Sequence, residues 1–171
     1  MDADDERVIA LAPGEHPPVP GAVKVASTDF AGAHHSTRTK ARKQALDVLF
    51  QAELRDESLG AVLARRAAQG EPDVREYAAT VLHGYWEHAG EVDRRIAECL
   101  SGDWTLERMP RVDRNLARIA VWELDRTGIA PRIAISEALE LANELSSDES
   151  VAFLSGLLNR VAETRPGNGS E

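Results

Sequence analysis

A helical hydrophobic repeat constrains the fold of this 171-residue chain more than any other feature. Between about residue 41 and residue 161, apolar side chains recur every three or four positions, a spacing that places them on one face of an α-helix. In the first predicted helix this face comprises Ala41, Ala45, Leu46, Val48, Leu49 and Ala52. No segment shows a convincing strand pattern, so the sequence predicts an all-α fold.

Breaks in the repeat separate the first helices. A weaker second helix is predicted over Leu59 to Ala68, and Gly70 and Pro72 separate it from the next. A long third stripe of apolar residues runs from Val74 to Leu100 and contains two glycines, which indicate either a bend or a close approach of another helix.

The second half of the chain follows the same pattern. The segment DWTLERMP is predicted to form a short helical turn that Pro110 closes, and the next helix runs from about Val112 to Arg126. A further helix follows Pro131. Ser146 and Glu149 have capping-box spacing, which predicts the start of the last helix there. The expected architecture is a compact bundle of about seven helices.

The ends of the chain differ from this middle part in composition. Residues 1–36 are acidic, contain several prolines and lack a helical period, so they are expected to be disordered, as is the tail 165–171. Residues 37–164 form the predicted helical domain. Cys99 is the single cysteine, no apolar run is long enough to span a membrane, and the acidic N-terminus does not resemble a signal peptide. These features favour a cytoplasmic protein without a membrane contact.

The start of the first predicted helix is basic, although the chain carries a formal net charge of -9. Residues 34–43 contain no acid and four basic side chains, namely Arg38, Lys40, Arg42 and Lys43. Because an acidic body repels nucleic acid, any nucleic-acid contact has to be local. Cations at a helix N-terminus oppose the macrodipole, so a purely structural helix would favour acids there. Two interpretations stay open: a solvated helix start, or an RNA-binding segment.

Helical angles give these four residues different surroundings. Lys40 and Lys43 fall on the polar face, whereas Arg38 and Arg42 fall on the apolar face. Since unpaired arginines are not buried in a core, the first turn is expected to overhang the body or to order only on an anion. Glu123 also falls on an apolar face, which predicts a structural ion pair or a helix cap.

Catalytic motifs are not found in the sequence. There is no P-loop, GxGxxG, CxxC or HExxH pattern. His34 and His35 lack partners for a metal site, and His88 and Cys99 lie near the apolar stripe, as core residues would. We therefore expect no enzyme activity, no cofactor and no metal.

Three segments, in the same order along the chain, resemble the NusB family of bacterial antitermination factors. They are ARKQALDVLFQAE (41–53), WTLERMPRVDRNLARIAVWEL (104–124) and AISEALELANELSSDESVAFLSGLLNRV (134–161). The resemblance implies two small helical sub-bundles that bind boxA-type single-stranded RNA of ribosomal RNA leader transcripts. It also implies NusE, a small-subunit ribosomal protein, as a partner, with other Nus factors and RNA polymerase contacted indirectly. It leaves open whether the chain is a monomer or a homodimer.

The resemblance also implies site residues. The RNA-contacting positions are Arg38, Lys40, Arg42, Lys43 and Phe50. The surface shared by RNA and partner comprises Asp113, Arg118, Glu149 and Phe153. Two alternatives remain. One is a helical protein-interaction module without RNA, suggested by the net charge and by an acidic face that contains Glu137, Glu140 and Glu144. The other is an enzyme, namely a stand-alone relative of the NusB-like domain attached to some RNA methyltransferases.

Overall fold

A computed structural model describes residues 36–166. Residues 1–35 of the predicted disordered segment 1–36, which include His34 and His35, and residues 167–171 of the predicted tail 165–171 lie outside the described residues. The described part contains seven α-helices, one short 3₁₀ helix and no β-strand, which confirms the predicted all-α class. The helices are α1 (Thr37–Arg55), α2 (Leu59–Ala68), α3 (Glu76–Glu87), α4 (Ala89–Cys99), the 3₁₀ helix (Leu106–Arg108), α5 (Arg111–Arg126), α6 (Pro131–Leu145) and α7 (Asp148–Glu163).

Local capping explains where the first two helices begin. The Ser36 hydroxyl accepts a hydrogen bond from the Thr39 N–H at 3.1 Å, and the Ser58 hydroxyl accepts one from the Ala61 N–H at 3.1 Å. Each bond satisfies a backbone donor that has no partner within the helix. The predicted bounds of α2 are confirmed, and α6 opens with Pro131 in its first turn, where a missing N–H costs nothing.

The predicted long third helix is wrong, because the structure divides it into α3 and α4 at His88. His88 has φ -118° and ψ 19°, outside the helical range. Gly84 serves close packing, since a Cβ atom there would lie 2.2 Å from the Trp122 ring. A Cβ atom at Gly90 would meet nothing within 4 Å. Gly84 thus allows close packing against Trp122, and the break between α3 and α4 falls between Gly84 and Gly90.

The predicted cap of α7 is wrong by one residue. The N-cap is Ser147, whose hydroxyl accepts a hydrogen bond from the Ser150 N–H at 3.2 Å. The Ser146 hydroxyl donates instead to the Asp113 carboxylate at 2.8 Å. Ser146 and Ser147 are equivalent cap candidates in the local sequence. The Asp113 carboxylate on α5 accepts from the Ser146 hydroxyl, and Ser147 is left as the cap.

Helix α5 lies at the centre of the described helices and packs against α1, α3, α4, α6 and α7. The helices α1, α2 and α3 form one group around it, and α4, α6 and α7 form a second, in keeping with two sub-bundles. The predicted apolar face of α1 is entirely buried in this core, which turns the opposite face of α1 toward solvent.

Candidate nucleic-acid interface

The basic start of α1 contributes three side chains to the surface. Arg38 and Lys40 are exposed and Lys43 is partly exposed. Arg42 is buried, with 4% of its surface accessible. The first turn therefore presents a smaller cationic surface than the sequence indicates.

Arg42 forms a buried, two-point ion pair with Glu123. Its Nε lies 2.8 Å from Oε1 of Glu123 and its Nη2 lies 2.8 Å from Oε2, while Nη1 lies 3.5 Å from Oε2 of Glu137. Burial acts to lower the pKa of Arg42, but the hydrogen bonds and charge of Glu123 outweigh it and raise the pKa. The predicted structural ion pair of Glu123 is confirmed, and Arg42 carries its charge inside the fold.

The first turn of α1 does not overhang the body, and that expectation is wrong. The buried Thr39 hydroxyl donates to Oε2 of Glu137 at 2.7 Å, which ties the turn to α6. The guanidinium carbon of Arg38 lies 4.3 Å from the centroid of the Tyr77 ring, within the range of a cation–π contact. Burial, followed by the charge of Glu123, raises the pKa of Tyr77 to about 12. Partners from α3, α5 and α6 thus fix the turn, although they are distant in sequence.

A carboxylate from another helix pairs with one cation of this surface. Glu144, in the last turn of α6, forms an ion pair with Nζ of Lys43. Both side chains are partly exposed, and water screens such a pair strongly. A phosphate that approaches Lys43 therefore competes with Glu144.

Phe50 lies farther along the outward face of α1 and is partly buried. Its ring centroid is 5.7 Å from the guanidinium carbon of Arg111, the first residue of α5. Lys43 and Phe50 are seven residues apart, so they share one side of the helix at a separation of about 10 Å. The structure thus places the Phe50 ring on the side of α1 that carries Lys43, and the Arg111 guanidinium lies beside that ring.

Arg118 is held inside a network of ion pairs. Its Nε and Nη2 lie 2.9 and 3.0 Å from the Asp93 carboxylate, and its Nη1 lies 3.1 Å from Oε2 of Glu53. Its guanidinium also lies 5.6 Å from the Tyr85 ring centroid. These contacts join α1, α4 and α5, so the structure gives Arg118 a supporting position beneath this surface.

Asp113 is buried, with 2% of its surface exposed, and does not reach solvent. Its two carboxylate oxygens accept hydrogen bonds from the hydroxyl groups of Ser146, at 2.8 Å, and Ser150, at 2.6 Å. These bonds connect the first turn of α5 to the junction of α6 and α7. The geometry therefore assigns Asp113 to positioning this junction rather than to direct contact with a ligand.

The remaining two predicted residues lie on α7. Glu149 is exposed in the first turn, and Phe153 is partly buried one turn further on. The Phe153 ring packs against Trp104, with ring centroids 5.0 Å apart and a tilt of 50°. The sequence reasoning missed Trp104 and Arg111, although both lie in a segment that it singled out.

Two further observations concern the residues that the structure describes. Residues 36–166 contain no group of three or more His, Cys, Asp or Glu side chains that could hold a metal ion. None of the described helices is both long and apolar enough to cross a membrane.

Fold and surface together define a small helical protein with one edge on which basic and aromatic side chains lie side by side. The sequence profile of the NusB family matches residues 39–163. The transcription antitermination protein NusB of Salinispora arenicola is 50% identical over 130 residues, which cover 74% of this chain and 95% of that protein. The chain therefore belongs to the NusB family.

Solved structures show the same fold. NusB of T. maritima superposes with a TM-score of 0.67 at 31% identity, over 76% of this chain and 93% of that one. A chain from the crystal structure of antitermination factors NusB and NusE in complex with dsRNA superposes with a TM-score of 0.64 at 24% identity, over 74% and 96% of the two chains. At that identity the second likeness shows the fold alone.

Proposed function

We propose that this chain acts in transcription antitermination by binding boxA-type single-stranded RNA of ribosomal RNA leader transcripts. It would bind together with NusE and help to assemble an antitermination complex on RNA polymerase in the cytoplasm. The observation that carries the proposal is the outward face of α1 in a member of this family. Lys40 and Lys43 lie on that face with Phe50, and Arg38 is exposed in the first turn, where it packs against Tyr77 of α3. Cations for phosphates and an aromatic ring for a base are the elements that single-stranded RNA binding needs.

The acidic charge of the rest of the chain confines nucleic-acid binding to this edge. The chain is acidic overall, with a formal net charge of -9, so nucleic acid is repelled elsewhere on its surface. The same acidity suits a basic ribosomal protein as partner. The proposed role requires positioning and no catalysis.

The structure alters the role that we propose for individual residues. Arg38, Lys40, Lys43 and Phe50 remain proposed RNA contacts, because each has accessible surface. We propose that Arg42, whose guanidinium is buried with Glu123, positions the first turn instead of contacting phosphate.

The alternative of a protein-interaction module without RNA loses part of its basis. That alternative depended on an acidic face of α6. In the structure Glu137 accepts from Thr39 and lies beside Arg42, and Glu144 pairs with Lys43. Two of these acids are therefore turned toward α1 and its basic start, and they are not presented as a separate docking surface.

The test is RNA binding by the purified full-length chain across a salt series. Fluorescently labelled boxA-like RNA and a scrambled RNA of equal composition are titrated with and without NusE. We expect selective binding that NusE strengthens and that weakens steeply with salt. Equal, weak binding to both RNAs that NusE does not change would refute the proposal.

A further inference from the structure

Arg111 differs from the other two arginines that surround Glu53. Its side chain is 38% exposed, compared with 11% for Arg114 and 17% for Arg118. It begins α5, and its guanidinium lies beside the Phe50 ring, 5.7 Å from the ring centroid. Arg111 is therefore the member of the group that a ligand on the α1 edge can reach.

The charges around Glu53 are unbalanced. One carboxylate faces three guanidinium groups, and two of these have other partners. Arg118 also pairs with Asp93, and Arg114 donates to the carbonyl oxygens of Leu106 at 2.8 Å and Met109 at 3.0 Å. Burial, and then the charge of Arg118, lowers the pKa of Arg114, as expected where positive charge is in excess.

Arg111 has the weakest contacts of the three. Its Nε lies 3.5 Å from Oε1 of Glu53, too far for a strong hydrogen bond, and this Nε is buried without a hydrogen-bond partner among the described residues. Since that Nε is buried, a ligand reaches Arg111 through the exposed part of its side chain, and the guanidinium charge there has only the long contact with Glu53 among the ion pairs described. Phosphate is an acceptor whose geometry matches the planar guanidinium.

Phe50 supplies the second half of the site. It lies on the outward face of α1, on the same side as Lys43 and about 10 Å from it along the helix, a distance that a short single strand of RNA can span. Bases of any type stack on an exposed aromatic ring. The cation and the ring are held by different helices, α5 and α1, whose relative position the Glu53 network fixes.

We propose that Arg111 is an RNA-binding residue and that it forms one nucleotide site with Phe50. The guanidinium binds a phosphate while the Phe50 ring stacks on the adjacent base. This inference rests on the proposed function and adds a cation from α5 to the proposed RNA contacts on α1.

The experiment compares full-length wild-type protein with Arg111→Ala and with the matched control Arg94→Ala. Arg94 is an exposed arginine on α4 that pairs with Glu98. Affinity for boxA-like single-stranded RNA is measured by fluorescence anisotropy at several salt concentrations. We expect R111A to bind about tenfold more weakly, and the slope of log affinity against log salt to fall by about 0.7, the value for one lost phosphate contact on a single strand. R94A should stay within about twofold of wild type, because surface pairs contribute little.

Two further variants separate binding from folding. Arg111→Lys keeps the charge, so it should retain the wild-type salt slope while it loses part of the affinity that the planar group provides. Phe50→Ala combined with R111A should weaken binding by less than the product of the single effects, because the two residues act on one nucleotide. Melting temperatures equal to that of wild type show that each variant is folded, and R111K is the deciding variant if R111A melts lower.

The outcomes distinguish the inference from the function. If wild type binds RNA selectively and R111A matches it in affinity and salt slope, the inference fails and the proposed function stands. If R111K shows the loss of slope expected of R111A, phosphate binding by the Arg111 charge is refuted. If wild type binds neither RNA, both the proposed function and this inference fall.

Discussion

The two ends of α1 have opposite balances of charge. At the N-terminal end one guanidinium, that of Arg42, faces two carboxylates, Glu123 and Glu137. At the C-terminal end one carboxylate, that of Glu53, faces three guanidinium groups from α5. Even with Asp93, which pairs with Arg118, guanidinium groups outnumber carboxylates in the second cluster, whereas carboxylates outnumber the guanidinium group in the first. We therefore expect the number of carboxylates around an arginine, more than its position in a basic run, to decide whether it binds phosphate.

The largest expected effect comes from breaking the N-terminal cluster. Arg42→Ala should reduce the free energy of unfolding by about 3–5 kcal/mol, because it leaves the buried Glu123 carboxylate without its partner. Urea denaturation followed by circular dichroism measures this change. The double variant R42M/E123L should recover most of the loss, since an apolar pair buries no charge. A stability change below about 1 kcal/mol in R42A would show that the ion pair does not hold the turn.

The next effect concerns the exposed cations of the same turn. Replacing both Arg38 and Lys40 with alanine should weaken RNA binding at least about tenfold and lower the salt slope by about 1.4, for two lost phosphate contacts. The free energy of unfolding should change by no more than about 1 kcal/mol, the size of an exposed cation–π contact. The control removes two exposed arginines elsewhere, Arg55 and Arg94. Equal RNA binding by the two double variants would remove the basic start of α1 from the interface.

A smaller effect, of opposite sign, is expected at the C-terminal end of α1. Glu53→Gln removes the carboxylate that contacts all three arginines, while Asp93 remains as a partner of Arg118. It should raise RNA affinity about three- to fivefold while it lowers the free energy of unfolding by about 1–3 kcal/mol, because charged hydrogen bonds are lost. Anisotropy and urea denaturation on one preparation measure both changes. Lower RNA affinity in folded E53Q would mean that Glu53 positions the arginines for RNA and does not compete with it.

The smallest effect concerns the ion pair between Lys43 and Glu144. Glu144→Gln should raise RNA affinity about twofold, because the pair is partly exposed and worth little in water. The control, Glu98→Gln, removes an exposed carboxylate on α4 that pairs with Arg94. An identical increase in both variants would assign the gain to net charge and not to the release of Lys43.

Local sequence patterns predicted most of the helices and part of the ion-pair cluster at the start of α1. The apolar face of α1 and the need of Glu123 for a partner follow from 3.6-residue periodicity and from the cost of burying a charge. The identity of that partner did not follow, because Arg42 and Glu123 meet only through packing of α1 against α5. The same limit explains why the first turn was expected to overhang the body.

The remaining errors have the same physical origin. The break at His88 leaves no mark in the hydrophobic pattern, since the stripe of apolar residues passes through it without interruption. The choice of Ser147 over Ser146 as the cap depends on Asp113, which lies on another helix. The proposed role of Arg111 was missed because it depends on the excess of positive charge around Glu53. Residues from two helices, α1 and α5, create that excess.

The most direct test of this account is to map the RNA contacts residue by residue. The chain has a mass of 18.6 kDa, which suits nuclear magnetic resonance of the full-length protein titrated with boxA-like single-stranded RNA. The account predicts that the largest shifts fall on Arg38, Lys40, Lys43, Phe50 and Arg111, while the side-chain signal of Arg42 changes little. Largest shifts on α2 or on the Arg94 side of α4, with the outward face of α1 unchanged, would contradict it.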